Sequence, residues 1–137
     1  MKFSTKGRYG TRVMVDLALN DDGRPIPLKD IARRQGISQK YLGHIITSLV
    51  KAGLVRSIQG SKGGYKLAKP AAKIKISQII QVLEGSLAPS DCVDTPQICP
   101  QISTCVTRDV WIKVKSAIME VLESITLEDL TSSLKQK

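Results

Sequence analysis

The chain has 137 residues, about one domain's worth with room for a modest core. Its apolar content of 42% is ordinary for a globular protein; no run of about 18 apolar residues exists, so no membrane span is expected. The net charge of +9 is unevenly placed: residues 1–75 carry 16 Lys+Arg against 4 Asp+Glu, a balance of +12, while residues 76–137 carry 5 against 8, a balance of −3. A first half this basic points to a polyanionic partner, because each phosphate neutralised releases a condensed counterion. The start, MKFSTKGRYG, lacks the apolar core of a secretory signal, so a cytoplasmic protein is expected.

Tyr9, Val13, Met14, Leu17 and Ala18 recur at helical spacing and predict a first helix from Thr5 to Asn20. NDDGRP, residues 20–25, has the composition of a turn. A second helix is predicted over Leu28 to Gln35, stopped by Gly36. Ser38 reads as the N-cap of a third helix that runs to Ala52, before Gly53. The third helix has a buried stripe of Leu42, Ile45, Ile46 and Leu49. Its opposite stripe, Lys40, Gly43, His44, Thr47 and Lys51, is short or polar throughout.

LVRSIQ (54–59) and GYKLAK (64–69), separated by a Gly-rich tip, predict a β-hairpin with Val55 and Ile58 inward and Arg56 and Gln59 outward. After Pro70 comes a short helix, Ser77 to Glu84, with Ile79, Ile80 and Leu83 apolar. GSLAPSDCVDTPQICPQISTC (85–105) has no periodicity and reads as a long loop, which in a compact domain is functional or disordered. RDVWIKVKSAIMEVLESI (108–125) is an amphipathic helix whose Trp111, Val114, Ile118, Val121, Leu122 and Ile125 recur near a 3.5-residue period. TLED (126–129) resembles a capping box opening a last helix, Leu127 to Leu134.

Two helices meeting at a Gly turn, followed by a hairpin, form the plan of a winged helix-turn-helix. The expected fold is therefore mainly α with a small β-hairpin: a winged helix-turn-helix domain over 1–75, then a segment over 76–137 with a cysteine loop (86–108) and a long C-terminal helix. Such a motif places the N-terminal residues of its second helix in the major groove. That nominates Ser38, Gln39, Lys40, Gly43 and His44, with Gln39 suited to adenine and Lys40 to guanine or a phosphate. The wing tip, Gln59, Gly60, Ser61 and Lys62, would lie against the backbone or in the minor groove. One histidine and no Gly-rich phosphate loop leave no catalytic constellation, so an enzyme is not expected.

All three cysteines, Cys92, Cys99 and Cys105, fall within the long loop. Their C-x6-C-x5-C spacing is neither a ferredoxin pattern nor a pair of zinc knuckles. Thiolates select soft metals and iron–sulfur clusters. From the residues themselves an iron–sulfur cluster, zinc, a thiol redox switch and no function all stay open.

TKGRYGTRVMVDLA, IARRQGISQKYLGHII, LVKAGLVRS and GSKGGYKLAKP, in this order and with the cysteine loop following, resemble the IscR/NsrR-type iron–sulfur winged-helix transcriptional regulators over nearly the whole chain. The resemblance implies a cytoplasmic homodimer on double-stranded operator DNA, paired through the long C-terminal helices. It also implies a [2Fe–2S] cluster on Cys92, Cys99 and Cys105 that tunes operator choice and senses iron–sulfur, redox or nitric oxide status; the mechanism expected is that cluster binding orders the 86–108 loop. DNA contacts would come from Ser38, Gln39, Lys40, Gly43, His44, Gln59, Gly60, Ser61 and Lys62. Members often have a glutamate at the position of Gly43 and an arginine at that of Gln59, so operator sequence does not transfer. The fourth-ligand positions carry Arg108 and Arg8, whose guanidinium groups have no lone pair to give. Asp91, Asp94, Asp109, a serine hydroxyl or solvent remain, and a weakly held fourth position is expected. The alternative is a cluster-free winged-helix repressor controlled by thiol oxidation or a partner protein.

Overall fold

A computed structural model of the protein describes residues 2–98, 100, 101 and 103–135. Helix α1 (Thr5–Leu19) opens at Ser4, whose Oγ accepts from the Gly7 N–H at 3.1 Å, so one free donor of the first turn is satisfied. Its buried face, Gly7, Gly10, Val13, Met14 and Leu17, follows the 3.6-residue period. Helix α2 (Leu28–Gln35) ends on Gly36 at φ 67°, the left-handed geometry that lets the chain turn sharply into the next helix. Helix α3 (Gln39–Lys51) starts at the Ser38 cap, which accepts from the Tyr41 N–H at 3.1 Å. Its Leu42, Ile45, Ile46 and Leu49 are buried, as the stripe requires.

Strands β1 (Val55–Ile58) and β2 (Gly64–Leu67) pair antiparallel, with Val55 opposite Leu67 and Ile58 opposite Gly64. Strand alternation corrects one expectation. Ile58 shares the face of Arg56 and Lys66, not that of Val55, and it is only half-buried. Ile26 adds a third rung, exchanging two 2.9 Å backbone hydrogen bonds with Tyr65.

A 3₁₀ turn (Ala71–Lys73) leads to α4 (Ile76–Glu84). Ile76 donates to the Ile125 carbonyl at 2.9 Å and Leu127 to the Ile74 carbonyl at 2.8 Å, so the approach to α4 is stitched to the approach to α7 (Leu127–Lys135). Thr126 and Asp129 satisfy each other's backbone donors at 3.1 and 2.9 Å, a reciprocal box that opens α7. The loop expected to be featureless carries a single helical turn, α5 (Asp91–Asp94), and a 3₁₀ turn at Pro96–Ile98. Elements this short show no periodicity in a sequence. Helix α6 (Val106–Glu123) begins two residues before the expected start.

One core gathers Val13, Met14, Leu17, Ile31, Leu42, Ile45, Ile46 and Leu49 with Ile74, Ile79 and Leu127, so it runs through both sides of position 75. Close approach of α1 and α4 depends on glycine. A Cβ on Gly10 would collide with the Leu83 side chain, and one on Gly7 with the Glu84 carboxylate. Among the longer helices α6 differs, since it buries no residue and leaves Val110 at 50% and Val121 at 58% exposure.

Candidate nucleic-acid interface and cysteine segment

The stripe of α3 opposite the core is open. Ser38, Gln39, Lys40, His44, Thr47 and Lys51 are exposed, and a Cβ placed on Gly43 would meet nothing within 4 Å. Gln59, Gly60, Ser61 and Lys62 are also exposed, at a tip closed by the Gly63 N–H donating to the Gly60 carbonyl at 3.0 Å. Gly60 sits at φ 110°, where a side chain would be strained. The hairpin hangs on the 20–26 turn through Ile26 and through Lys66, whose Nζ donates to the Gly23 carbonyl at 2.9 Å.

Polar contacts that the helical pattern did not foretell fix α3 relative to α1. Asp16, 3% exposed on the buried face of α1, accepts from Arg34 and Gln35 at the end of α2. Arg12 donates to Gln35 Oε1 at 3.1 Å and lies 5.0 Å over the Tyr9 ring. Tyr9 meets Tyr41 of α3 edge to face, with ring centroids 6.2 Å apart. The available signal was an acidic residue embedded between Met14 and Leu17.

Of the cysteines, Cys92 lies on α5 and Cys105 is the residue before α6; Cys99 lies outside the described residues. Cys92 Sγ is 3.3 Å from Ser90 Oγ, and Cys105 Sγ is 3.1 Å from Thr107 Oγ1. The Thr107 hydroxyl, helped by the Arg108 backbone N–H, holds the Cys105 thiol below the usual cysteine range, against burial and the charge of Asp109. Arg108 Nε donates to the Cys92 carbonyl at 3.1 Å, which brings α5 against the first turn of α6. Asp94 accepts from Lys115 Nζ at 2.7 Å and from the Ser86 hydroxyl.

Soft thiolate donors at both ends of one segment, one of them already biased toward the thiolate, fit a cluster or soft metal in donor chemistry. Two of the side chains weighed for the fourth position are already engaged by protein groups. Arg108 is a donor engaged with Cys92, Asp94 is engaged by Lys115, and among the described residues no three His, Cys, Asp or Glu side chains converge.

An open-faced second helix after a Gly turn, with a hairpin beside it, defines a winged helix-turn-helix regulator of the DNA-binding class. The chain belongs to the Rrf2 family, described as iron-dependent transcriptional regulators, which it matches over residues 3–133. It is 42% identical over 130 residues to the protein rrf2 of Nitratidesulfovibrio vulgaris, covering 95% of this chain and 87% of that one. Among solved structures, the global cysteine regulator CymR of B. subtilis superposes with a TM-score of 0.80 at 40% identity, covering 97% and 98% of the two chains. The IscR of T. potens superposes with a TM-score of 0.80 at 46% identity, covering 98% and 88%. The protein is thus a DNA-binding transcriptional regulator and not an enzyme. No described helix is long and apolar enough to cross a membrane.

Proposed function

We propose that the protein acts as a homodimer on operator DNA, with residues 1–75 reading the duplex and residues 76–137 pairing the subunits and carrying the regulatory cysteines. The observation that carries this reading is the open outer stripe of α3 beside an exposed, cationic wing tip. Ser38, Gln39, Lys40, Gly43 and His44 enter the major groove, and Gln59, Gly60, Ser61 and Lys62 follow the adjacent backbone or minor groove. The unburied apolar residues of α6 support pairing of two copies along that helix, which sets two recognition helices about one helical turn of DNA apart.

Cys92, Cys99 and Cys105 hold a [2Fe–2S] cluster as thiolates, and operator affinity follows its occupancy. The cluster would supply a redox-active centre that oxidants, nitric oxide or iron shortage can change. Likeness to the T. potens IscR and the lowered Cys105 thiol support this. The test is visible absorbance and promoter binding of anaerobically purified protein, compared with a Cys92→Ala, Cys99→Ala, Cys105→Ala variant. Cluster absorbance in the parent alone, with a shift in promoter affinity between the two, is the expected result.

A second reading has its own support. The Cys105 thiol is held below the usual cysteine range, and the superposed CymR is named a cysteine regulator. In that case the colourless parent and the triple variant differ in promoter affinity only after peroxide treatment.

A further inference from the structure

Helix α6 has no fully buried residue and touches the core only at its C-terminal end through Leu122, yet it makes two charged contacts to the segment that carries Cys92. Arg108 Nε donates to the Cys92 carbonyl at 3.1 Å, and Lys115 Nζ donates to Asp94 Oδ1 at 2.7 Å. The two cations are seven residues apart, so they lie on one face of α6, about 10 Å from each other along its axis. They meet α5 on either side of Val93. Asp94 also takes the Ser86 hydroxyl, which draws the chain leaving α4 into the same cluster. The Lys115–Asp94 pair is only about one-third exposed, 34% and 33%, so water screens it less than an open surface pair.

We propose that Arg108 and Lys115 are positioning residues for the regulatory segment: they hold Cys92 against the first turn of α6 through contacts made entirely of protein groups. This deepens the reading above, because it assigns to Arg108, which cannot ligate a metal, the task of presenting a cysteine that can. It also removes Asp94 from the candidates for the fourth ligand, since its carboxylate belongs to Lys115 and Ser86. Position of the Cys92 thiol then depends on the clamp and not on a bound cofactor.

The experiment uses full-length, reduced protein freed of metal by a chelator, and reads the rate of iodoacetamide alkylation at Cys92 and Cys105 by peptide mass spectrometry. Loss of a nearby cation by itself disfavours the thiolate and slows alkylation, so a faster rate reports freed position. Lys115→Met and Arg108→Met should each speed alkylation of Cys92 about threefold or more, as local opening becomes easier. Lys115→Arg should restore the parent rate, and Cys105 should stay unchanged in Lys115→Met. Unchanged Cys92 rates in the Arg108→Met, Lys115→Met double variant overturn the proposal, and so does equal acceleration of both thiols. A protein that never acquires iron defeats the cluster reading alone, because the alkylation comparison needs no metal.

Discussion

Arg34 of α2 grips Asp16 of α1 with two parallel hydrogen bonds, Nη2 to Oδ1 at 2.7 Å and Nε to Oδ2 at 3.0 Å, around a carboxylate side chain that is 2% exposed. The fork geometry is the strong form of an ion pair, and Gln35 adds a third donor at 2.9 Å. Because both partners on α2 lie in its last turn, this pair sets the angle at which α2 delivers the chain into α3. Asp16→Ala should destabilise the fold by about 2–4 kcal/mol, toward the low end for a broken buried pair because Arg34 keeps some contact with water. Thermal unfolding followed by circular dichroism measures the loss. Asp16→Asn, which keeps the shape but not the charge, should lose less.

Glycines on two helices should respond oppositely to alanine. In α1, Gly10→Ala drives a methyl into Leu83, and the overpacking should outweigh the gain in helix propensity, leaving a net loss of about 1–2 kcal/mol. In α3, Gly43→Ala points into open space and should gain about 0.5–1 kcal/mol. Chemical denaturation midpoints decide both, and equal signs would contradict the packing described for α1 and α4.

On the proposed DNA face, two kinds of contact are separable by salt. Lys62→Ala should weaken operator binding for all sequences alike and reduce the slope of log K against log salt by about 1. Gln39→Ala should leave that slope unchanged while costing about 1–3 kcal/mol at the preferred operator and relaxing preference at one base pair. Fluorescence anisotropy titrations at several salt concentrations measure both quantities.

The lowered Cys105 thiol makes a prediction in pH. A depressed pKa means more thiolate at neutral pH, so alkylation of Cys105 in metal-free protein should reach half its maximal rate at a lower pH than an ordinary cysteine does. Thr107→Val removes the hydroxyl that contributes most to the shift and should move that midpoint upward. A midpoint that stays put after the substitution would assign the shift to the helix backbone instead.

Elements whose side chains alternate between core and solvent were legible. Leu42, Ile45, Ile46 and Leu49 are buried and their opposite stripe is open, because a helix of thirteen residues repeats its period several times. The face of Ile58 is not legible, because four-residue strands give alternation little room and its pairing with Gly64 decides its face. The α5 turn was invisible for the same reason of length. No local pattern marks Asp16 as a structural hub, since its partners Arg34 and Gln35 are 18 and 19 residues away. Likewise Lys115 and Asp94 meet across 21 residues. Residue pattern speaks to which face is wet; it is silent on which charges find each other through the fold.

The hairpin's suspension from Ile26 and Gly23 has an engineering corollary. The turn between α1 and α2, residues 20–27, carries both anchors of the hairpin, the Ile26 backbone and the Gly23 carbonyl, so the wing is braced by a segment outside α3. If α3 and the wing contact DNA as proposed, changing the length of NDDGRP by one residue should move Lys62 relative to the duplex while leaving the side chains of α3 in place.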